Sequence, residues 1–279
     1  MFLSVCLFLF WTVCSVTSCF GVDSYDGHGT KSGVSAEQRE QMSGEKSAER
    51  IPKGAAAIIK AYPNQALKYE NNKIVFPDGT SIVYDDGREK DFVTKLDDSD
   101  IEDMFSMPYD TIAPPRYLAD AGRSRCDPFF KKMYGGSAAE VQKKLVSVKW
   151  FGQTVSFTSV NGANKQLEKV ASEIAHRYPG LKKYMKSCGT FYWRKVRGAN
   201  RQSAHSYGIA IDINTEYSDY WLWKNGNVPE TKKISYVNRI PLEIVRVFEK
   251  YGFVWGGRWY HYDTMHFEYR PEINPIKHV

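Results

Sequence analysis

The chain has 279 residues, 42% of them hydrophobic and 14% aromatic, including 18 Tyr and 7 Trp. That is too much apolar surface for a disordered chain, and the length suits one or two packed domains. Lys and Arg number 38 against 32 Asp and Glu, a formal net charge of +6. The excess is mild and forms no long basic run, which argues against a nucleic-acid partner and fits an anionic one met outside the membrane, such as a cell-wall polymer.

Residues 1–22 contain no Asp, Glu, Lys or Arg and are largely apolar. They read as an export signal without a basic leader region. Val16-Thr17-Ser18-Cys19 resembles a loose lipobox, so lipidation at Cys19, a cut near Ser18 and an uncleaved anchor all stay open. Removing the leader leaves Cys126 and Cys188, whose pairing the sequence does not decide. Residues 23–50 are rich in Gly, Ser, Glu and Lys and read as a flexible tether. In residues 51–114, two short apolar runs at 73–76 and 81–84 flank Pro77-Asp78-Gly79 and predict a hairpin. The acidic stretch 91–114, ending in Pro114-Pro115, reads as an irregular, solvent-facing connector, which places the main domain at 115–279.

Ser137 with Glu140 makes a capping box, and Val141, Leu145 and Val148 extend it into a predicted first helix. Leu167, Val170, Ile174 and Tyr178 predict a second helix with His176 off its apolar stripe, and Pro241 to Gly252 predict a third. Tyr- and Trp-rich alternating stretches lie between and after them. Strands clustered rather than alternating with helices point to an α+β fold.

Two segments carry chemistry. In Ser203-Ala-His205-Ser-Tyr-Gly208-Ile-Ala-Ile-Asp212, Asp212 lies on the strand face opposite an Ile row, where a carboxylate must be paired, hydrogen-bonded or metal-bound. His205, seven residues earlier, can fold back to it across Gly208. In Trp255-Gly-Gly-Arg-Trp259-Tyr-His261-Tyr-Asp263-Thr-Met-His266-Phe-Glu268, Asp263 and His266 share a site only if the chain turns between them. His205, Asp212 and His266 would then hold a Zn²⁺ with one open position, and Asp263 would serve as general base. Spacing alone leaves alternatives. His261 could replace His266, Glu268 could accept from an imidazole N–H instead of acting as base, and Trp255, Trp259 and Tyr262 could be core.

SAHSYGIAID resembles the S-x-H-x-x-G-x-A-x-D signature of the zinc D-alanyl-D-alanine carboxypeptidase and L-alanyl-D-glutamate endopeptidase family, of VanY-like type, and YDTMHFE resembles its later D/E-x-x-H block. CDPFFKKMYG, GTFYWR and WGGRWYHYDTMHFEYRPE extend the likeness over most of residues 115–275. The resemblance implies a compact antiparallel sheet with flanking helices, of the DD-peptidase/hedgehog type, and one Zn²⁺ on His205, Asp212 and His266. It implies Asp263 as base, Arg194 at the oxyanion or substrate carbonyl, and Ser203 as a substrate hydrogen-bond donor. The implied substrate is peptidoglycan or its muropeptides, outside the cytoplasm, with membrane contact only through the signal or a lipid anchor. Asp263 stands where many members have Glu, a departure that leans towards the endopeptidases. The rival expectation is a non-catalytic, zinc-stabilised envelope-binding lipoprotein of the same fold. Oligomeric state and the bond cleaved stay open.

Overall fold

Leu167, Val170 and Ile174 fall on one stripe of a 15-residue helix and are fully buried, while its other side carries Lys165, Glu168 and Lys169. The computed structural model describes residues 50–112 and 114–276. The expected signal segment, Cys19 and all but the last residue of the expected tether lie outside these residues.

The elements in chain order begin with α1 (Lys53–Ala61) and a three-stranded antiparallel sheet of β1 (Lys68–Glu70), β2 (Lys73–Val75) and β3 (Ser81–Val83). The predicted hairpin is β2–β3, with Ile74 opposite Ile82. The expected solvent-facing connector is different in fact. It contains α2 (Phe92–Asp97), capped by Asp91, whose side chain accepts from the Thr94 N–H, and it buries Leu96, Ile101 and Met104. Two of its acidic residues, with Asp86 just before it, gather around one amine: Lys90 Nζ lies 2.9, 3.1 and 2.6 Å from carboxylates of Asp86, Asp100 and Asp103. Pairing on a single buried Lys lets this charge-rich segment pack instead of facing water. Residues before 115, such as Ile58 and Ile74, share a core with Phe129, Phe157 and Phe267 after it.

Next come α3 (Asp127–Tyr134), α4 (Ala138–Gln142) and a two-stranded antiparallel sheet of β4 (Leu145–Trp150) and β5 (Gln153–Thr158). The predicted first helix therefore stops early. Ser137 caps it as expected, but Leu145 and Val148 belong to β4, where Val148 and Trp150 point into the core at strand spacing. Six pairs with β5 outweigh a helical period of only three apolar residues. The second predicted helix is α5 (Ala163–Arg177), with His176 exposed as expected. After it come β6 (Ala210–Asp212), α6 (Trp221–Asn225), α7 (Leu242–Lys250, the predicted third helix), β7 (Phe253–Trp255) and β8 (His266–Tyr269).

Among the described residues the fold is mixed α+β with three small antiparallel sheets, where one compact sheet was expected. The third sheet, in the order β6-β8-β7, positions the site. Phe267 stacks on Phe248 at 3.9 Å between ring centroids and faces the core, so period two turns His266 and Glu268 to the other face. Among the described residues no helix is long and apolar enough to cross a membrane.

Candidate metal centre

Antiparallel register pairs Asp212 of β6 directly with His266 of β8. His205 arrives from a single 3-10 turn, Ala204–Tyr207, whose first N–H groups are met by Ser203: its hydroxyl accepts from the His205 N–H. Gly208 ends the turn at φ +66, and a Cβ there would meet Leu145 Cδ2 at 2.4 Å. This left-handed stop folds the imidazole back over the strand that follows.

Three donor atoms converge. His205 Nε2 lies 3.2 Å from His266 Nδ1 and 3.3 Å from Asp212 Oδ1, and His266 Nδ1 lies 3.0 Å from Asp212 Oδ1. Ligands at 2.0–2.1 Å in a tetrahedral zinc site are separated by about 3.3 Å, so the triangle has zinc dimensions. The other ring nitrogens are committed elsewhere. His205 Nδ1 is 2.7 Å from the Thr190 carbonyl, and His266 Nε2 is 3.1 Å from Glu268 Oε2. With a metal bound, those acceptors would hold N–H on the outer nitrogens and leave the lone pairs of the inner ones facing the triangle.

Electrostatics match a cation site. Burial would raise the Asp212 carboxyl, but His205 and His266 outweigh it and hold it far below the carboxylate range. For His266, burial works against the charged imidazole, and hydrogen bonds to Asp212 and Glu268 more than compensate, raising it to about 10. Glu268 is buried yet held down to about 2 by Arg125, His266 and Arg270, with Arg270 Nη1 at 2.9 Å. Asp263 behaves oppositely: burial and the Asp212 charge push it up to about 7. Two carboxyl groups with properties driven apart in one site is the pattern of a ligand and a proton carrier.

Asp263 reaches the site through the turn the spacing required. The His266 N–H donates to the Asp263 carbonyl at 3.2 Å, and the Asp263 N–H donates to Gly256 O at 3.0 Å. A Cβ at Gly256 would stand 2.4 Å from the Asp263 carbonyl oxygen, so only glycine admits that approach. Asp263 Oδ1 is buried without any hydrogen-bond partner. An unpartnered carboxylate oxygen beside a ligand triangle is available to substrate or water.

These residues open onto a cleft of about 360 Å³. Its lining is both cationic, with Arg123, Arg125, Arg194, Arg197 and Arg201, and aromatic, with Tyr220, Trp221, Trp223 and Trp259. Arg194 is at this cleft as the resemblance implied, its backbone tied at 2.9 Å to Ser206 Oγ and its guanidinium exposed. Ser203 also lines the cleft. His261 does not join the triangle. It is bound 2.5 Å from Asp120 Oδ2 and 2.7 Å from the Glu230 carbonyl, which occupies both ring nitrogens. Arg123 pairs with Asp120 at 2.6 Å and with Glu230 at 2.8 Å, and Arg201 is bound by Asp97. This buried network ties α2 and residues 120–123 to the floor of the cleft. Sequence reading missed it, since Asp97, Asp120 and Glu230 have no local pattern joining them. Glu268 takes the acceptor role, and Trp255, Trp259 and Tyr262 are buried.

The family model described as D-alanyl-D-alanine carboxypeptidase matches residues 197–269. The match supports the peptidoglycan metallopeptidase family. It spans about a quarter of the chain and takes in His205, Asp212, Asp263 and His266, while Arg194 lies just before it. No curated protein and no solved structure matches the chain.

Proposed function

We propose that the protein is an exported, zinc-dependent peptidase that hydrolyses peptide bonds in peptidoglycan stem peptides, at the D-alanyl-D-alanine terminus or the L-alanyl-D-glutamate bond. One observation carries the reading: three donors at tetrahedral spacing beside a raised carboxyl group with one buried, unpartnered oxygen. His205, Asp212 and His266 would hold the metal, which when bound supplies Lewis acidity to polarise the scissile carbonyl and make water acidic.

The chain's own residues do the rest. Asp263, at about 7, takes a proton from the attacking water and returns it to the departing amine. Arg194 offers a fixed positive charge at the cleft for the developing oxyanion or the substrate carbonyl. Ser203 keeps a hydroxyl hydrogen to donate to substrate, since its recorded bond to His205 N uses only the oxygen lone pair. The charge-free apolar leader supports export, and export would place the enzyme where its polymer is.

The test is metal analysis together with mass spectrometry of digested peptidoglycan. Zinc at one equivalent with release of D-alanine or of cleaved stem peptides is expected, and Asp263→Ala should keep the zinc and lose the products. Equal products from both proteins would end the proposal.

A further inference from the structure

We infer that a second site, a basic groove joined to the strand that carries Asp212, holds a linear poly(alditol phosphate), a phosphodiester polyanion without bases or acyl chains. Residues 129–196 carry thirteen Lys and Arg against three Asp and Glu, an excess larger than the +6 of the whole chain. Those three carboxylates are already engaged. Glu140 accepts from the Gly136 N–H, Glu168 pairs with Lys165, and Glu173 pairs with Arg177 and Lys250.

Lys182, Lys183 and Lys186 therefore rim a groove with Phe151, Gln153 and Tyr217 and have no carboxylate partner among the described residues. Concentrated like charge disfavours the folded state unless a counter-charge is met in use. Lys183 is positioned rather than loose, its Nζ 5.3 Å from the Tyr184 ring centroid and 5.1 Å from that of Tyr217. The floor shows a second departure from what folding alone prefers. The β4–β5 turn puts Phe151 at φ +42 and Gly152 at φ +86, a left-handed pair for which Asn-Gly is the favoured sequence. A bulky Phe in that conformation is retained at a cost, its ring packed 5.1 Å from that of Trp150 and lining the same groove as the three lysines. Ammonium groups meet phosphate oxygens as point charges, with no planar pairing required, which suits successive phosphates along a flexible chain.

The groove is mechanically continuous with the centre. The Asn214 N–H donates to Tyr184 O at 3.1 Å, the Cys188 N–H to Asp212 O at 2.8 Å, and the Asp212 N–H to Gly189 O at 2.9 Å. A polymer seated on residues 182–186 would hold the protein beside whatever wall material carries that polymer.

The experiment measures binding of the full chain to poly(glycerol phosphate) at 50 and 200 mM salt, with no turnover needed, so its outcome is independent of peptide hydrolysis. Expected is salt-sensitive binding that falls at least tenfold when Lys182, Lys183 and Lys186 are all changed to Gln, with the slope of log affinity against log salt flattened by about 2. A control replacing exposed Lys53, Lys60 and Lys68 by Gln should keep most of the affinity, and both variants should melt like the parent. Absent or salt-insensitive binding overturns the inference, as does equal loss in the two variants. Tighter binding to duplex DNA or to phosphatidylglycerol vesicles overturns it in favour of those partners.

Discussion

Asp212 and His266 face each other across an antiparallel strand pair, with Asp212 Oδ1 3.0 Å from His266 Nδ1. The same cross-strand register sets Glu268 opposite Ala210, so His266 is gripped by a carboxylate on each ring nitrogen. One carboxylate belongs to the triangle and the other orients the ring from behind.

Removing the inner partner should remove the metal. Asp212→Ala is expected to lose zinc and all peptidase activity while remaining folded, and chelation of the parent protein should do the same reversibly. Metal content by atomic spectroscopy, with activity before and after zinc is restored, checks both. Activity surviving complete zinc removal would contradict the assignment.

Changing the outer partner is predicted to do two things. Glu268→Ala frees the His266 ring, which should weaken zinc binding about 10–100-fold. It also leaves the buried guanidinium of Arg125 without a carboxylate and Arg270 with Glu272 alone, a cost of about 3–5 kcal/mol. Competition titration with a zinc chelator reads the first effect and urea unfolding the second.

Asp263→Asn keeps nearly the same shape but cannot carry a proton. Peptide hydrolysis should fall about 10²–10⁴-fold with zinc content unchanged. Loss of zinc in this variant would mean that Asp263 is a ligand instead.

Gly256→Ala tests the turn that delivers Asp263. The added Cβ would lie 2.4 Å from a backbone oxygen, so the turn must shift. A tenfold or greater loss of activity is expected, with destabilisation of about 1–3 kcal/mol in thermal melting.

Acid stability should depend on the network beneath the cleft. Burial would raise Asp120, but Arg123 and His261 hold it down to about 2, against about 3.9 in an unfolded chain. A depressed carboxyl stabilises the fold above the unfolded value, and that contribution disappears as pH falls through the folded one. The window is therefore about pH 4 down to pH 2, and the amount about 2 kcal/mol. Urea unfolding at pH 6 and at pH 2.5 should show a stability difference that much smaller in Asp120→Asn than in the parent.

Much of the candidate site was legible because its residues sit in two short blocks with strong local constraints. Period two put Asp212 opposite an isoleucine row, and a three-residue spacing demanded a turn between Asp263 and His266; the His266 N–H to Asp263 O bond is that turn. Less was legible where charge is neutralised over long separations. The stretch 91–114 looked solvent-facing because its carboxylates are visible in sequence, while the gathering of Asp100 and Asp103 around Lys90 is not. The first predicted helix ran too far for a related reason: Val148 and Trp150 acquire strand geometry from pairing with β5, a partner that a local period cannot include.

The amino-acid order by itself determined the α+β class, the β2–β3 hairpin, α5, α7 and the two short blocks from which the candidate site is drawn, because each follows from short-range periodicity, turn chemistry or a compact motif. Tertiary structure alone decided that His266 rather than His261 meets Asp212, that Asp120 and Glu230 claim His261, and that Asp263 sits high while Asp212 sits low. Those outcomes depend on burial and on charges brought near from residues up to 141 positions away, and electrostatic energy in a dry interior is set by distance in space rather than along the chain.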